Sequence, residues 1–140
     1  MQTQILIIDG QGGQLGSQII KELLTACPGV HITAVGTNTV ATAAMRKAGA
    51  SAAATGENPV IVACRKADII IGPIGIVIAD ALLGEVTPAM ALAVGQAQAL
   101  RVLIPMNKCE NLVAGVGNLS TSVLIQDTVS KVSQFLSNSC

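Results

Sequence analysis

Gly10, Gly12, Gly13 and Gly16 follow the aliphatic run Ile5-Leu6-Ile7-Ile8 and Asp9, and an amphipathic segment comes directly after them. A strand that empties through a glycine turn into a helix brings bare backbone N–H groups up to an anion. The first helical turn leaves its amides unpartnered and its dipole points outward. The chemistry on offer is phosphate binding, with Gln11, Gln14 and Leu15 completing the turn. Asp9, at the end of the strand, either meets a ribose or metal or caps the turn; capping is the commoner use of an Asp there.

The strict dinucleotide spacing G-x-G-x-x-G would put glycine at 10, 12 and 15, but position 15 is Leu15. Gly10, Gly13 and Gly16 make a G-x-x-G-x-x-G pattern instead. It resembles the turn of some short-chain dehydrogenases and of reductases related to dihydrodipicolinate reductase. That resemblance implies a sharp turn at the first glycine, phosphate approach at the second and helix packing at the third. The alternative is that the glycines only make a tight turn between strand and helix. A P-loop is excluded, because Gly16 is followed by Ser17 and Gln18 rather than Lys and a hydroxyl residue.

A ribose needs a further partner. NAD-binding folds carry an acid about 20 residues on, at the end of the second strand. No acidic residue occurs between Glu22 and Glu57, and the second strand ends in Gly36-Thr37-Asn38-Thr39. Thr37 and Asn38 are therefore the expected polar contacts. Arg46 and Lys47, about two helical turns on, give NADP an edge over NAD. A nucleotide with one phosphate, or one without adenosine, also fits.

No complete catalytic set accompanies the turn. The chain has no Tyr, which removes the tyrosine mechanism that resemblance to short-chain dehydrogenases would imply. His31 is the sole histidine, at the amino end of its strand, and with Cys27, Cys64, Cys109 and Cys140 scattered it makes no zinc site. Lys108 and Cys109, within Asn107-Lys108-Cys109-Glu110, are the most reactive-looking pair, since a neighbouring cation lowers a thiol pKa. A buried, inert cysteine is the alternative there, and Cys64 reads as structural. Asp80 interrupts an apolar segment and lies either on a solvated face or at the ligand rim.

The elements that must position these residues alternate. Strands are expected at 3–8, 31–35, 68–71 and 101–104, with weaker ones at 51–54 and 111–117. Helices are expected at 13–26, 39–47, from a Thr55 cap to 66, at 76–83, from the Thr87-Pro88 start to 99, and from Ser120 onward. Alternation within one domain, 1–140, predicts a three-layer α/β sandwich of Rossmann type. Its mostly parallel sheet should hold 5–6 strands in the order 3-2-1-4-5. Ligands in such sheets sit at the carboxyl ends of strands. The glycine turn, Thr37-Asn38, residues 106–109 and the exit turn Gly72-Pro73-Ile74-Gly75, read as a second helix N-terminus, should share that rim.

Composition narrows the partners. Eight basic and eight acidic residues balance without any charged block, and Phe135 is the only aromatic. Nucleic acid and anionic membrane are disfavoured. Hydrophobic residues make up 51% of the chain and charged ones 11%, with a mean hydropathy of +0.63. The apolar excess predicts a homo-oligomer, a dimer above all, because the richest stretch, 69–83, is too short and too broken to span a bilayer. The N-terminal sequence lacks signal-peptide features and the cysteines are unpaired in sequence, which predicts a cytoplasmic protein.

Five motifs together resemble a short bacterial family of unknown function with a Rossmann-like fold. They are Ile-Asp-Gly-Gln-Gly-Gly from Ile8, Gly-Thr-Asn from Gly36, Ala-Thr-Gly-Glu-Asn from Ala54, Ala-Asp-Ile-Ile-Ile-Gly-Pro-Ile-Gly from Ala67 and Gly-Glu-Val-Thr-Pro-Ala-Met from Gly84. The residues themselves favour a nucleotide-binding sensor or accessory subunit. The alternatives are an NAD(P)-dependent reductase completed by a partner subunit and an interaction protein without a small-molecule ligand.

Overall fold

β1 (Gln4–Asp9) lies at the centre of the sheet in the computed structural model, which describes residues 2–106 and 111–138. Its side chains alternate between two apolar layers. Ile5 and Ile7 pack on one side against helices α1 (Gln14–Ala26), α2 (Thr39–Lys47) and α5 (Thr121–Asn138). Leu6 and Ile8 pack on the other against α3 (Glu57–Cys64) and α4 (Pro88–Gln96). Covering both faces accounts for the unbroken aliphatic run.

The remaining strands are β2 (His31–Gly36), β3 (Ala52–Thr55), β4 (Ile69–Pro73) and β5 (Leu100–Ile104). All pair in parallel, in the order β3-β2-β1-β4-β5. The expected order and the three-layer α/β architecture are therefore what the chain adopts, with five strands. After β1 the chain winds toward β2 and β3, then crosses to β4 on the other side. The crevice between the carboxyl ends of β1 and β4 is the switch point where such sheets take ligands.

Three local expectations fail for identifiable reasons. Thr55 is not a helix cap: it ends β3, its hydroxyl lies 2.7 Å from that of Thr42, and Gly56 at φ 104° takes the cap position. Residues 111–117 form no strand, because Gly115 at φ 83° turns the chain and Val116 N–H bonds the Val113 carbonyl at 3.3 Å. The helix expected at 76–83 does not form either; Ile74–Val77 makes one 3-10 turn. Ile74, Ile76, Val77 and Ile78 are β-branched and poor at continuing a helix, and the buried Ile76 and Leu82 are held by the α3/α4 layer. By contrast, Thr87 caps α4 with Pro88 at its first position, and the Ser120 hydroxyl accepts from Val123 N–H at the start of α5.

The segment after that 3-10 turn is left-handed. Asp80, Leu82 and Leu83 have φ of 66°, 57° and 57°, and Gly84 continues at 88°. Gly84 N–H donates to the Asp80 carbonyl at 3.1 Å and Glu85 N–H to the Leu82 carbonyl at 3.1 Å. Each non-glycine residue held there costs about 1–2 kcal/mol. Leu83 is fully displayed to solvent, so its side chain offsets none of that. Leu83→Gly is expected to raise stability by about 1 kcal/mol in a urea titration; a loss of stability would show that the turn is not strained.

Candidate functional site

Asp9 organises the turn from beneath. Its Oδ1 accepts from Gly10 N–H and its Oδ2 from Gly16 N–H, both at 2.8 Å, so one buried carboxylate ties the strand end to the first turn of α1. Burial pushes its pKa up against the pull of the Gly16 and Gly10 amides, and the neighbouring Glu85 charge adds to the rise. Asp9 is thus used as the cap of the turn. Asp9→Ala leaves two buried amides without an acceptor and is expected to cost about 2–4 kcal/mol. Asp9→Asn, which keeps one acceptor, should cost about half as much in the same urea titration.

The glycines divide by what surrounds them. A Cβ on Gly10 would sit 2.6 Å from Thr37 Oγ1 and 2.8 Å from Glu85 Oε1. One on Gly16 would meet Met45 Sδ at 2.6 Å, so this glycine lets α1 pack closely, as its place in the pattern implies. Gly13, at φ 73°, lies against the backbone of α2, where a Cβ would stand 2.8 Å from the Ala41 carbonyl oxygen. Gly12 differs from all three. It has an ordinary φ, and a Cβ would meet nothing nearer than Gln14 Cγ at 3.9 Å. No hydrogen bond among the described residues occupies the N–H groups of Gly12, Gln14 or Leu15.

The loop after β2 joins the turn. Thr37 N–H donates to the Asp9 carbonyl at 3.0 Å. Asn38 caps α2 through Ala41 N–H at 2.9 Å and donates to the Gln11 carbonyl at 3.0 Å. Across both loops lies Glu85, which sequence reasoning missed. Its Oε1 accepts from Gln11 N–H at 2.9 Å, Thr37 Oγ1 at 2.6 Å and Asn38 Nδ2 at 2.8 Å. Burial pushes the Glu85 carboxyl up, but the bonds from Thr37, Gln11 and Asn38 outweigh it and hold the pKa below the usual glutamate value. Its stabilising contacts are therefore present above that usual value and fade as pH falls through the lowered one. Asp9, with a raised pKa, behaves in the opposite sense.

The other expected residues fall differently. Gly72 and Pro73 are the last residues of β4, and Ile74 and Gly75 begin the 3-10 turn, so they border the crevice but open no helix N-terminus. A Cβ on Gly72 would lie 2.4 Å from the Ile8 carbonyl oxygen, which explains that glycine by packing. Asp80 is exposed within the left-handed segment. Arg46 and Lys47 end α2 at the opposite edge of the sheet, where Gly49 N–H bonds the Arg46 carbonyl and Ser51 N–H bonds the Ile32 carbonyl. The expected cation for a 2′-phosphate is thus removed from the rim. Lys108 and Cys109 lie outside the described residues. Cys64 is buried, with its thiol pushed up to about 11 by burial. His31 begins β2 at the edge away from the rim.

Among the described residues no three His, Cys, Asp or Glu side chains gather as a metal site, and no helix is long and apolar enough to cross a membrane. A cleft of about 540 Å3 between the carboxyl ends of α3 and α4, away from the glycine turn, is lined by Ile61, Cys64, Leu92 and Ala93 together with Arg65, Gln96 and Gln98. The rim itself is an open surface of amides and one carboxylate. It can hold a phosphate beside a hydrogen-bond donor.

A family model described as "Domain of unknown function (DUF3842)" matches residues 4–137. No curated protein matches the chain. Among solved structures, the chain is similar to a dodecameric FMN-dependent UbiX-like decarboxylase from Escherichia coli O157:H7. The two share 15% identity over 95% of this chain and 94% of the other, with a TM-score of 0.44.

Proposed function

We propose that this chain, which belongs to the DUF3842 family of unknown function, binds the phosphate of a nucleotide or dinucleotide at the turn from Gly10 to Gly16. One observation carries the reading. Of the four glycines in the turn, Gly12 is the one that neither packing nor backbone conformation demands, and its own N–H and those of Gln14 and Leu15 are used by no described residue. A bare backbone at that point serves an incoming anion.

The role that fits is a nucleotide-responsive sensor or accessory subunit. Over the rim, Asp9 is buried with both carboxylate oxygens engaged in holding the turn, and Glu85 is anchored through Oε1 by three donors. The apolar excess of the composition, 51% hydrophobic against 11% charged, supports assembly with a further copy of the chain, a dimer being the simplest closed form.

A ligand for the folded state must raise its stability, by roughly 2.7 kcal/mol at a hundredfold excess over Kd. Melting curves with millimolar AMP, ADP, NAD and NADP are the experiment. At least one is expected to raise Tm by several degrees. Superimposable curves with all four would overturn the reading.

A further inference from the structure

From the same rim we infer that Glu85 is the ribose-binding acid of this site, so that the ligand is a ribonucleotide with an unmodified 2′,3′-diol. The inference rests on the phosphate reading above and narrows it to a ligand class.

The end of β2 carries Thr37 and Asn38, with no acid from 23 to 56. In space a carboxylate is there nonetheless: Glu85 arrives from the loop before α4, and its Oε1 takes the Thr37 hydroxyl, the Asn38 amide and Gln11 N–H. Three donors on one oxygen fix the carboxylate's position. Its other oxygen, Oε2, has no partner among the described residues and is free to accept from hydroxyl groups.

The neighbourhood sets what such a hydroxyl must be attached to. Glu85 is bonded to the amide of Gln11, one residue before the unpartnered N–H of Gly12. An acceptor for hydroxyls thus stands next to donors for a phosphate. A ribose 5′-phosphate presents that pair of groups, a diol that donates and an anion that accepts. A 2′-phosphate would set a dianion against the Glu85 carboxylate, and among the described residues no cation stands at the end of β2 to offset it, Arg46 and Lys47 being at the other edge. The strained turn through Leu82 and Leu83 is what delivers Glu85 to this point. Strain retained in one loop is common where a side chain must be aimed.

The test compares ADP with 2′-deoxy-ADP by calorimetric titration of the full chain, and adenosine 2′,5′-bisphosphate with AMP. Hydrogen bonds to a charged acceptor predict at least roughly tenfold tighter binding of ADP than of 2′-deoxy-ADP, and of AMP than of the bisphosphate. Glu85→Gln keeps a carbonyl oxygen for the three donors, so its melting temperature should stay within a few degrees of wild type. It should bring ADP and 2′-deoxy-ADP to within about twofold of each other. Equal binding of the two by wild type would overturn the diol inference and leave phosphate binding standing. Binding of neither would overturn both.

Discussion

Replacing Gly13 by alanine is expected to lower the unfolding free energy by about 2–5 kcal/mol, the largest stability loss of any single change at the turn. Two costs combine. The residue sits at φ 73°, which a non-glycine residue occupies at about 1–2 kcal/mol. The new Cβ would also stand 2.8 Å from the Cα and carbonyl oxygen of Ala41. Those are backbone atoms of α2, whose first turn is fixed by the Asn38 cap, so relief requires the whole helix to move. Overpacking of that kind costs about 1–3 kcal/mol. Gly12→Ala is the control, one residue earlier in the same turn and in open space, and should stay within about 0.5 kcal/mol of wild type. Urea titration of both variants checks the contrast; equal losses would show that the turn is not held by α2.

Gly12→Glu should have the largest effect on binding, lowering nucleotide affinity by at least about 100-fold while the fold remains intact. The added carboxylate has room to lie over the N–H groups of Gly12, Gln14 and Leu15, where it would act as a tethered anion in the phosphate's place. Acids near a helix N-terminus are favourable by about 0.3–1 kcal/mol, so the melting temperature should hold or rise slightly. Affinity and stability then move independently. Unchanged affinity by calorimetry, in a variant that melts like wild type, would place the ligand elsewhere.

Much of the scaffold is legible in the sequence because it follows from burial on two faces. Ile5 to Ile8 and Ile69 to Ile71 are short, mostly β-branched runs that read as strands covered on both sides, and alternation with helices predicts the order 3-2-1-4-5 that the sheet adopts. The Thr87-Pro88 and Ser120 starts are legible because capping is local chemistry. The site is less so. The pattern of Gly10, Gly13 and Gly16 suggests ligand contact, yet each of these glycines is also required by packing, against Glu85 and Thr37, Ala41 and Met45 respectively. Gly12, outside the pattern, is the one that packing leaves unexplained.

Glu85 illustrates the other limit. A mostly apolar run such as 74–83, broken only by Gly75 and Asp80, does not distinguish helix from other buried backbone. Here it becomes a 3-10 turn and a left-handed loop, with Leu82 in the core and Glu85 carried to the end of β2. No spacing rule links positions 38 and 85. The carboxylate that the second strand lacks comes from a different loop, and only the fold brings the two together.

Phosphate binding by the bare amides of the glycine turn is open to one direct measurement. In a two-dimensional amide NMR titration with ADP, the N–H resonances of Gly12, Gln14 and Leu15 should shift saturably and further than any on α3 or α4. Saturable shifts confined to other elements, or no shift on the turn at millimolar ADP, would contradict it.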